Sequence, residues 1–241
     1  MIALLEDHHI AFIASPKCMT TSIGRLFLEI ETGKPFNRDD HDGMFVHKIY
    51  QKRARAMKLD AVPAPLDKLD GYWKFTVVRD PIKRLFSAYT NRVVHKKEVE
   101  KAMARPNWQE AHGDTAAGLD PNPDANTFFA NLEGYRDVIA PIRHHSNPMR
   151  DYIGADLSAY DRVFPVEKIT ELEEVLSARV GQPVSMPNAQ RSKNKLKFAD
   201  LSSEAQRVIL AFTRSDYDLL SDYYRPEDVI GTKTNPTELE A

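Results

Sequence analysis

Twice in this chain a short apolar run stops at a proline and passes straight into residues of helical spacing, and this pairing restricts the architecture more than any other feature. The first run is Ile10-Ala11-Phe12-Ile13-Ala14, ended by Ser15-Pro16. Proline has no amide to give to a ladder, so a strand ends there. Thr20-Thr21-Ser22 offer hydroxyl caps, and Ile23, Leu26, Phe27 and Ile30 recur on one face. A helix to about Glu31 is expected, with Gly33 as its stop. The second run is Trp73-Lys74-Phe75-Thr76-Val77-Val78, followed by Asp80 as N-cap and Pro81 at the first helical position. Leu85, Phe86, Ala88, Tyr89 and Val93 carry that helix on. Buried strands that feed helices predict an α/β fold, a central parallel sheet flanked by helices.

The remaining segments fit around these two units. Residues 34–71 are polar and carry His41, His47 and a basic run from Lys48 to Lys58. Segment 104–124 is turn-rich and reads as a long loop or lid. Asp161–Pro165 reads as a further strand, followed by a helix over 167–180 that Gly181 stops. Ser203 and Gln206 have capping-box spacing and open a helix bearing Val208, Ile209, Phe212, Leu219, Leu220 and Tyr223. With 241 residues the chain suits one α/β domain, expected over 1–225, with 226–241 as a C-terminal tail.

Charge and cysteine content narrow the function classes. Lys and Arg number 33 against 35 Asp and Glu, a net charge of −2, which gives no general reason to bind nucleic acid. Any anion site must therefore be local. Cys18 is the single cysteine, so no internal disulfide is possible and a reducing compartment is expected. No apolar run approaches the roughly 20 residues that span a bilayer, so a cytoplasmic protein without an integral membrane segment is expected. No metal is expected either, because the adjacent pairs His144-His145 and His41-Asp42 do not converge readily on one ion.

Two local anion sites stand out. In Ser15-Pro16-Lys17-Cys18-Met19-Thr20-Thr21-Ser22, amides of a strand-to-helix turn converge where the helix dipole is positive. Lys17 adds a point charge and the three hydroxyls add donors. Taken alone, the turn would also suit an exposed lysine beside an ordinary helix cap. In Val78-Arg79-Asp80-Pro81, the guanidinium of Arg79 sits at a strand end, where open α/β sheets bind ligands, and can grip a phosphate through two donors. Ser87 follows two helical turns later. A surface Arg79–Asp80 ion pair, with Ser87 as a small packing residue, is the plain alternative.

Together the segments resemble the sulfotransferases that use 3′-phosphoadenosine 5′-phosphosulfate (PAPS), in particular the carbohydrate-type sulfotransferase family 2. Pro16-Lys17-Cys18-Met19-Thr20-Thr21-Ser22 is similar to that family's 5′-phosphosulfate loop, with Met19 where the family often has glycine. Val78-Arg79-Asp80-Pro81, followed by Arg84-Leu85 and Ser87-Ala88-Tyr89, is similar to its 3′-phosphate element. Tyr160-Asp161-Arg162-Val163 with Glu167, and Asp216-Tyr217-Asp218-Leu219-Leu220, resemble the same branch more loosely. The resemblance implies a P-loop NTPase-like sulfotransferase fold and in-line transfer of a sulfuryl group to a hydroxyl or amine of a small-molecule, carbohydrate or glycolipid-like acceptor. Adenosine 3′,5′-bisphosphate is then the product. It further implies that Lys17 stabilises the leaving oxygen and that residues 17–22, Arg79 and Ser87 hold the nucleotide. Arg191 is a further candidate, beside Ser192 and Lys193, for the basic segment that cytosolic sulfotransferases carry late in the chain.

A hydroxyl acceptor needs a general base. By the same resemblance it is a histidine or glutamate lying between the two motifs, so His47 is the first candidate and His41 the second. Two other functions are weighed against sulfuryl transfer. A P-loop-type nucleotide kinase lacks support because the spaced glycines and the Gly-Lys-Ser/Thr ending are absent. A nucleotide-binding protein without catalysis is the other.

Overall fold

One four-stranded sheet organises the first part of the molecule, in the order β1-β2-β3-β4. The computed structural model describes residues 1–187 and 196–231. The elements in chain order are β1 (Ile2–Leu5), β2 (Ile10–Ile13), α1 (Thr20–Thr32), α2 (Val46–Ala56), β3 (Trp73–Val78), α3 (Pro81–Tyr89), α4 (Glu98–Met103) and α5 (Trp108–His112). Then follow α6 (Ala125–Ala130), α7 (Leu132–Val138), α8 (Ala140–Ser146), α9 (Arg150–Ile153), β4 (Arg162–Pro165), α10 (Ile169–Val180), α11 (Ser203–Leu219) and α12 (Glu227–Ile230). The chain divides into two compact units, Met1–Arg79 with Met149–Ser192, and Asp80–Pro148 with Lys193–Ala241.

The first unit holds the whole sheet. β2 pairs in parallel with β3, and β3 with β4, as two strands feeding helices require. The expected central parallel sheet has one antiparallel edge, where β1 runs against β2, Ile2 facing Ile13. A tight 3-10 turn over Glu6–His8, closed by His9 in the left-handed region, is short enough to join only antiparallel neighbours. Phe12 stacks on Phe75 at 5.1 Å, Phe164 meets Phe75 edge-on at 6.0 Å, and Phe27 of α1 meets the same ring at 6.3 Å. These rings seal the sheet against α1, each contributing about 1.5–3 kcal/mol through burial. α2 lies beside α1 and also packs on β1, while α10 packs on β4. Gly181 ends α10 in the left-handed conformation, as expected.

The second unit is helical. α3 packs against α11 and α8, and α6 lies along α11. Asp80 caps α3 by accepting from the Lys83 amide at 2.8 Å, with Pro81 at the start of the helix. Beyond Tyr89 the chain continues as a π-helical stretch, Thr90–His95, so the expected helix reaches Val93 in a different winding. Arg84, 1% exposed, donates to the carbonyls of Ser146 and Asn147 and to Asp216 at 3.1 Å. The segment expected as a loop over 104–124 contains α5 and a 3-10 turn, Gly113–Ala116. The cap of α11 falls on Ser202, which accepts from Ala205, one residue before the expected Ser203. Within the expected tail, Glu227–Ile230 forms α12. Among the described residues no helix is long and apolar enough to cross a membrane.

Candidate active site

Parallel pairing decides where the first candidate anion site stands. Ile13 faces Thr76, and the Thr76 hydroxyl donates to the Ile13 carbonyl at 2.7 Å. Three residues further along each strand, the turn at Pro16 and Arg79 leave the sheet at one edge. Arg79 Nη1 donates to the carbonyl of Lys17 at 3.4 Å, a long hydrogen bond that ties the end of β3 to the turn after β2. Both Lys17 and Arg79 are half-buried.

The turn holds a conformation that ordinary residues rarely adopt. Lys17 has φ 69° and Met19 φ 57°, both left-handed, with Cys18 between them. Met19 occupies the N-cap position of α1, where glycine would carry no steric cost. Such alternation turns successive amides towards one concavity, the geometry that receives anionic oxygens. The hydroxyls expected as caps do not cap. Thr20 donates back to the Ser15 carbonyl at 2.9 Å, and Met19 at the N-cap position makes no side-chain cap hydrogen bond. A helix leaves its first amides without intrahelical partners, so a 13-residue helix here presents open donors and the positive end of its dipole. The Ser15 hydroxyl is wholly buried under the turn and has no hydrogen-bond partner among the described residues. These features fit a phosphate or sulfate guest.

Cys18 turns inward. Its side chain is fully buried, its Sγ lies 3.9 Å from the Met149 Sδ, and its amide donates to the Ser15 carbonyl at 3.3 Å. Ser22 is half-buried in the first turn of α1. Ser87 lies in the last turn of α3 in the second unit, half-buried. Arg191, Ser192 and Lys193 lie outside the described residues.

The two histidine candidates part company. His47, in the first turn of α2, places Nε2 3.1 Å from the Thr21 hydroxyl of α1. His41, in a 3-10 turn, stacks its ring on Phe36 at 5.5 Å. The structure therefore brings Lys17, Thr20, Thr21, His47 and Arg79 into one neighbourhood of the first unit. The surface Arg79–Asp80 pair is not found. Asp80 is fully buried, accepts from the Tyr217 hydroxyl at 3.0 Å, and drives the Tyr217 pKa upward, after burial itself. Among the described residues no group of three or more His, Cys, Asp or Glu is arranged to hold a metal.

Sequence reasoning missed the Thr21–His47 contact, the orphaned Ser15 hydroxyl and the close approach at Gly24. Only the last had a local signal, a glycine inside a helical pattern. No curated protein and no solved structure gave a match to this chain. The Sulfotransferase family model matches residues 2–224, spanning the turn, the Arg79 segment and the Asp216-Tyr217 segment alike. Nearly the whole chain is covered, and the protein belongs to sulfotransferase family 2.

Proposed function

We propose that the protein transfers a sulfuryl group from PAPS to a hydroxyl of a carbohydrate or glycolipid-like acceptor. The observation that carries this reading is the hydrogen bond from Arg79 to the Lys17 carbonyl, which joins the two anion-binding segments at one sheet edge. A strand-to-helix turn that cradles phosphate is also the device of P-loop nucleotide enzymes, and we assign the turn to that class.

Each residue has a task that its place supports. The uncapped amides of α1 and the left-handed turn would receive the 5′-phosphosulfate, with the Thr21 hydroxyl as a further donor, while the Thr20 hydroxyl, which donates to the Ser15 carbonyl, braces the turn. Lys17 would neutralise charge as it grows on the bridging oxygen, an effect that acts in the transition state and raises turnover. Arg79 would bind the 3′-phosphate, and Ser87 joins it on the motif's spacing alone. His47 would accept the proton of the acceptor hydroxyl. No metal is required by this scheme, since lysine, arginine and backbone amides supply the positive charge.

The test is transfer of labelled sulfate from PAPS to chito-oligosaccharides, lactose and galactosylceramide. Lys17→Ala is expected to lower turnover by about 10²–10³-fold, the usual cost of removing one transition-state donor. Sulfate transfer at the same rate by wild-type protein and by Lys17→Ala, with adenosine 3′,5′-bisphosphate bound by both, would contradict the assignment.

A further inference from the structure

Gly24 lies in the interior of α1 with helical backbone, where glycine costs roughly 1 kcal/mol relative to alanine. No positive φ calls for it. The requirement is spatial. A Cβ on Gly24 would stand 2.8 Å from Val46 Cγ2 and 3.4 Å from Tyr50 Cε2, and both side chains are buried. Neither can step aside freely. Val46 starts α2 and immediately precedes His47, and Tyr50 lies one turn after it. On α1, Thr21 lies one turn before Gly24 on the same face. The contacts rise together along both helices, Thr21 with His47, Gly24 with Val46 and Tyr50, then Glu31 with Arg53 at 2.8 Å. The two helices therefore run side by side in the same sense, with Val46 and Tyr50 packed where Gly24 has no side chain.

We propose that Gly24 is a positioning residue: its missing side chain lets α2 approach α1 closely enough for the His47 imidazole to meet Thr21 beside the Lys17 turn. This rests on His47 being the base, and the experiment keeps the two ideas apart.

Gly24→Ala must push α2 outward by several tenths of an ångström or more. An error of about 1 Å in a catalytic group costs on the order of 10²-fold. The expected result is a turnover 10–100-fold lower with the acceptor used above, and a KM for PAPS within about 3-fold of wild type. The ring-nitrogen chemical shifts of His47 should move, because the Thr21 hydrogen bond is lost. Val46→Ala removes the clashing methyl, so the double variant Gly24→Ala/Val46→Ala should recover at least half of the lost turnover on a logarithmic scale and restore the His47 shifts. Val46→Ile crowds the same contact from the other helix. It should move His47 in the same direction, which keeps the test alive should Gly24→Ala fail to fold.

Unmoved His47 shifts in Gly24→Ala and in Val46→Ile would overturn the proposal, as would a loss that the double variant does not relieve. His47→Gln separates the readings. If it keeps wild-type turnover, His47 is not the base, yet the imidazole shifts still decide whether Gly24 seats it. If it is inactive while Gly24→Ala changes neither shift nor turnover, the positioning role alone falls.

Discussion

The two strand-to-helix junctions begin from one sequence pattern, an apolar strand, a proline and an amphipathic helix, yet they end in opposite chemical states. After β3, Asp80 caps α3, is fully buried and takes the Tyr217 hydroxyl, while Arg84 one turn on is locked to Asp216 and two carbonyls. After β2, two residues adopt left-handed backbone, no side chain caps α1, and the buried Ser15 hydroxyl has no partner among the described residues. The first arrangement pairs Asp80 with Tyr217 and holds Arg84 through Nη2, while Arg84 Nε and Nη1 are buried with no hydrogen-bond partner among the described residues. In the second, the missing side-chain cap at the start of α1 is the feature on which the proposed anion site rests. The two junctions thus differ in their helix starts: Asp80 caps α3, whereas the start of α1 has no side-chain cap.

That contrast can be broken by substitution. The largest expected effect is on stability at the capped junction. Arg84→Ala leaves Asp216 buried without its charge partner and should cost about 3–5 kcal/mol, read by urea unfolding. Arg84→Ala within about 1 kcal/mol of wild type would show that the buried pair is dispensable. Next, Lys17→Ala should lower turnover about 10²–10³-fold while shifting unfolding stability by less than about 0.5 kcal/mol. A large loss of stability there would erase the distinction between the junctions. Asp80→Ala removes a helix cap and the acceptor of the buried Tyr217 hydroxyl, so a loss of about 2–3 kcal/mol is expected by the same unfolding measurement.

A graded effect follows from buried phenols. Burial raises the pKa of Tyr217, Tyr160 and Tyr50, and pushes Tyr135 up to about 12. The unfolded chain releases these protons near pH 10, while the folded protein retains them. The unfolded state then binds fewer protons, and stability falls as pH rises. The contribution is fully present below about pH 10 and is lost as pH climbs through the folded values, so urea midpoints should decline steadily above pH 10. Flat midpoints from pH 9 to 11 would contradict this. The smallest effect is expected at Met19. Met19→Gly relieves a left-handed side chain, a gain of at most about 1 kcal/mol against lost packing, with nucleotide affinity within about 3-fold of wild type.

Much of this contrast could be seen beforehand, and the unseen part has physical causes. Ile10–Ile13 and Trp73–Val78 declared themselves because a continuous apolar run ending at proline has few other fates. Asp80-Pro81 gave the cap of α3 from two residues. Ile2–Leu5 gave no such signal, being four residues joined by a turn without glycine or proline, and its antiparallel pairing depends on β2. The partners of Asp80 and Arg84 lie 137 and 132 residues away in sequence, so no local pattern could name them. For α1, the three hydroxyls looked like caps because composition records donors and acceptors and not backbone angles. From sequence His47 ranks ahead of His41, but its contact with Thr21 needed the packing of α2 on α1, where Val46 and Tyr50 lie against Gly24.

The most direct test of a donor site shared by two strand ends is calorimetric titration of the protein with adenosine 3′,5′-bisphosphate, set beside adenosine 5′-monophosphate and the Arg79→Ala variant. One charge-assisted contact to phosphate is worth about 1.5–3 kcal/mol, so both comparisons should weaken binding roughly 10–100-fold. Equal affinity for the two nucleotides, or an Arg79→Ala variant that binds the bisphosphate as tightly as wild type, would contradict the account.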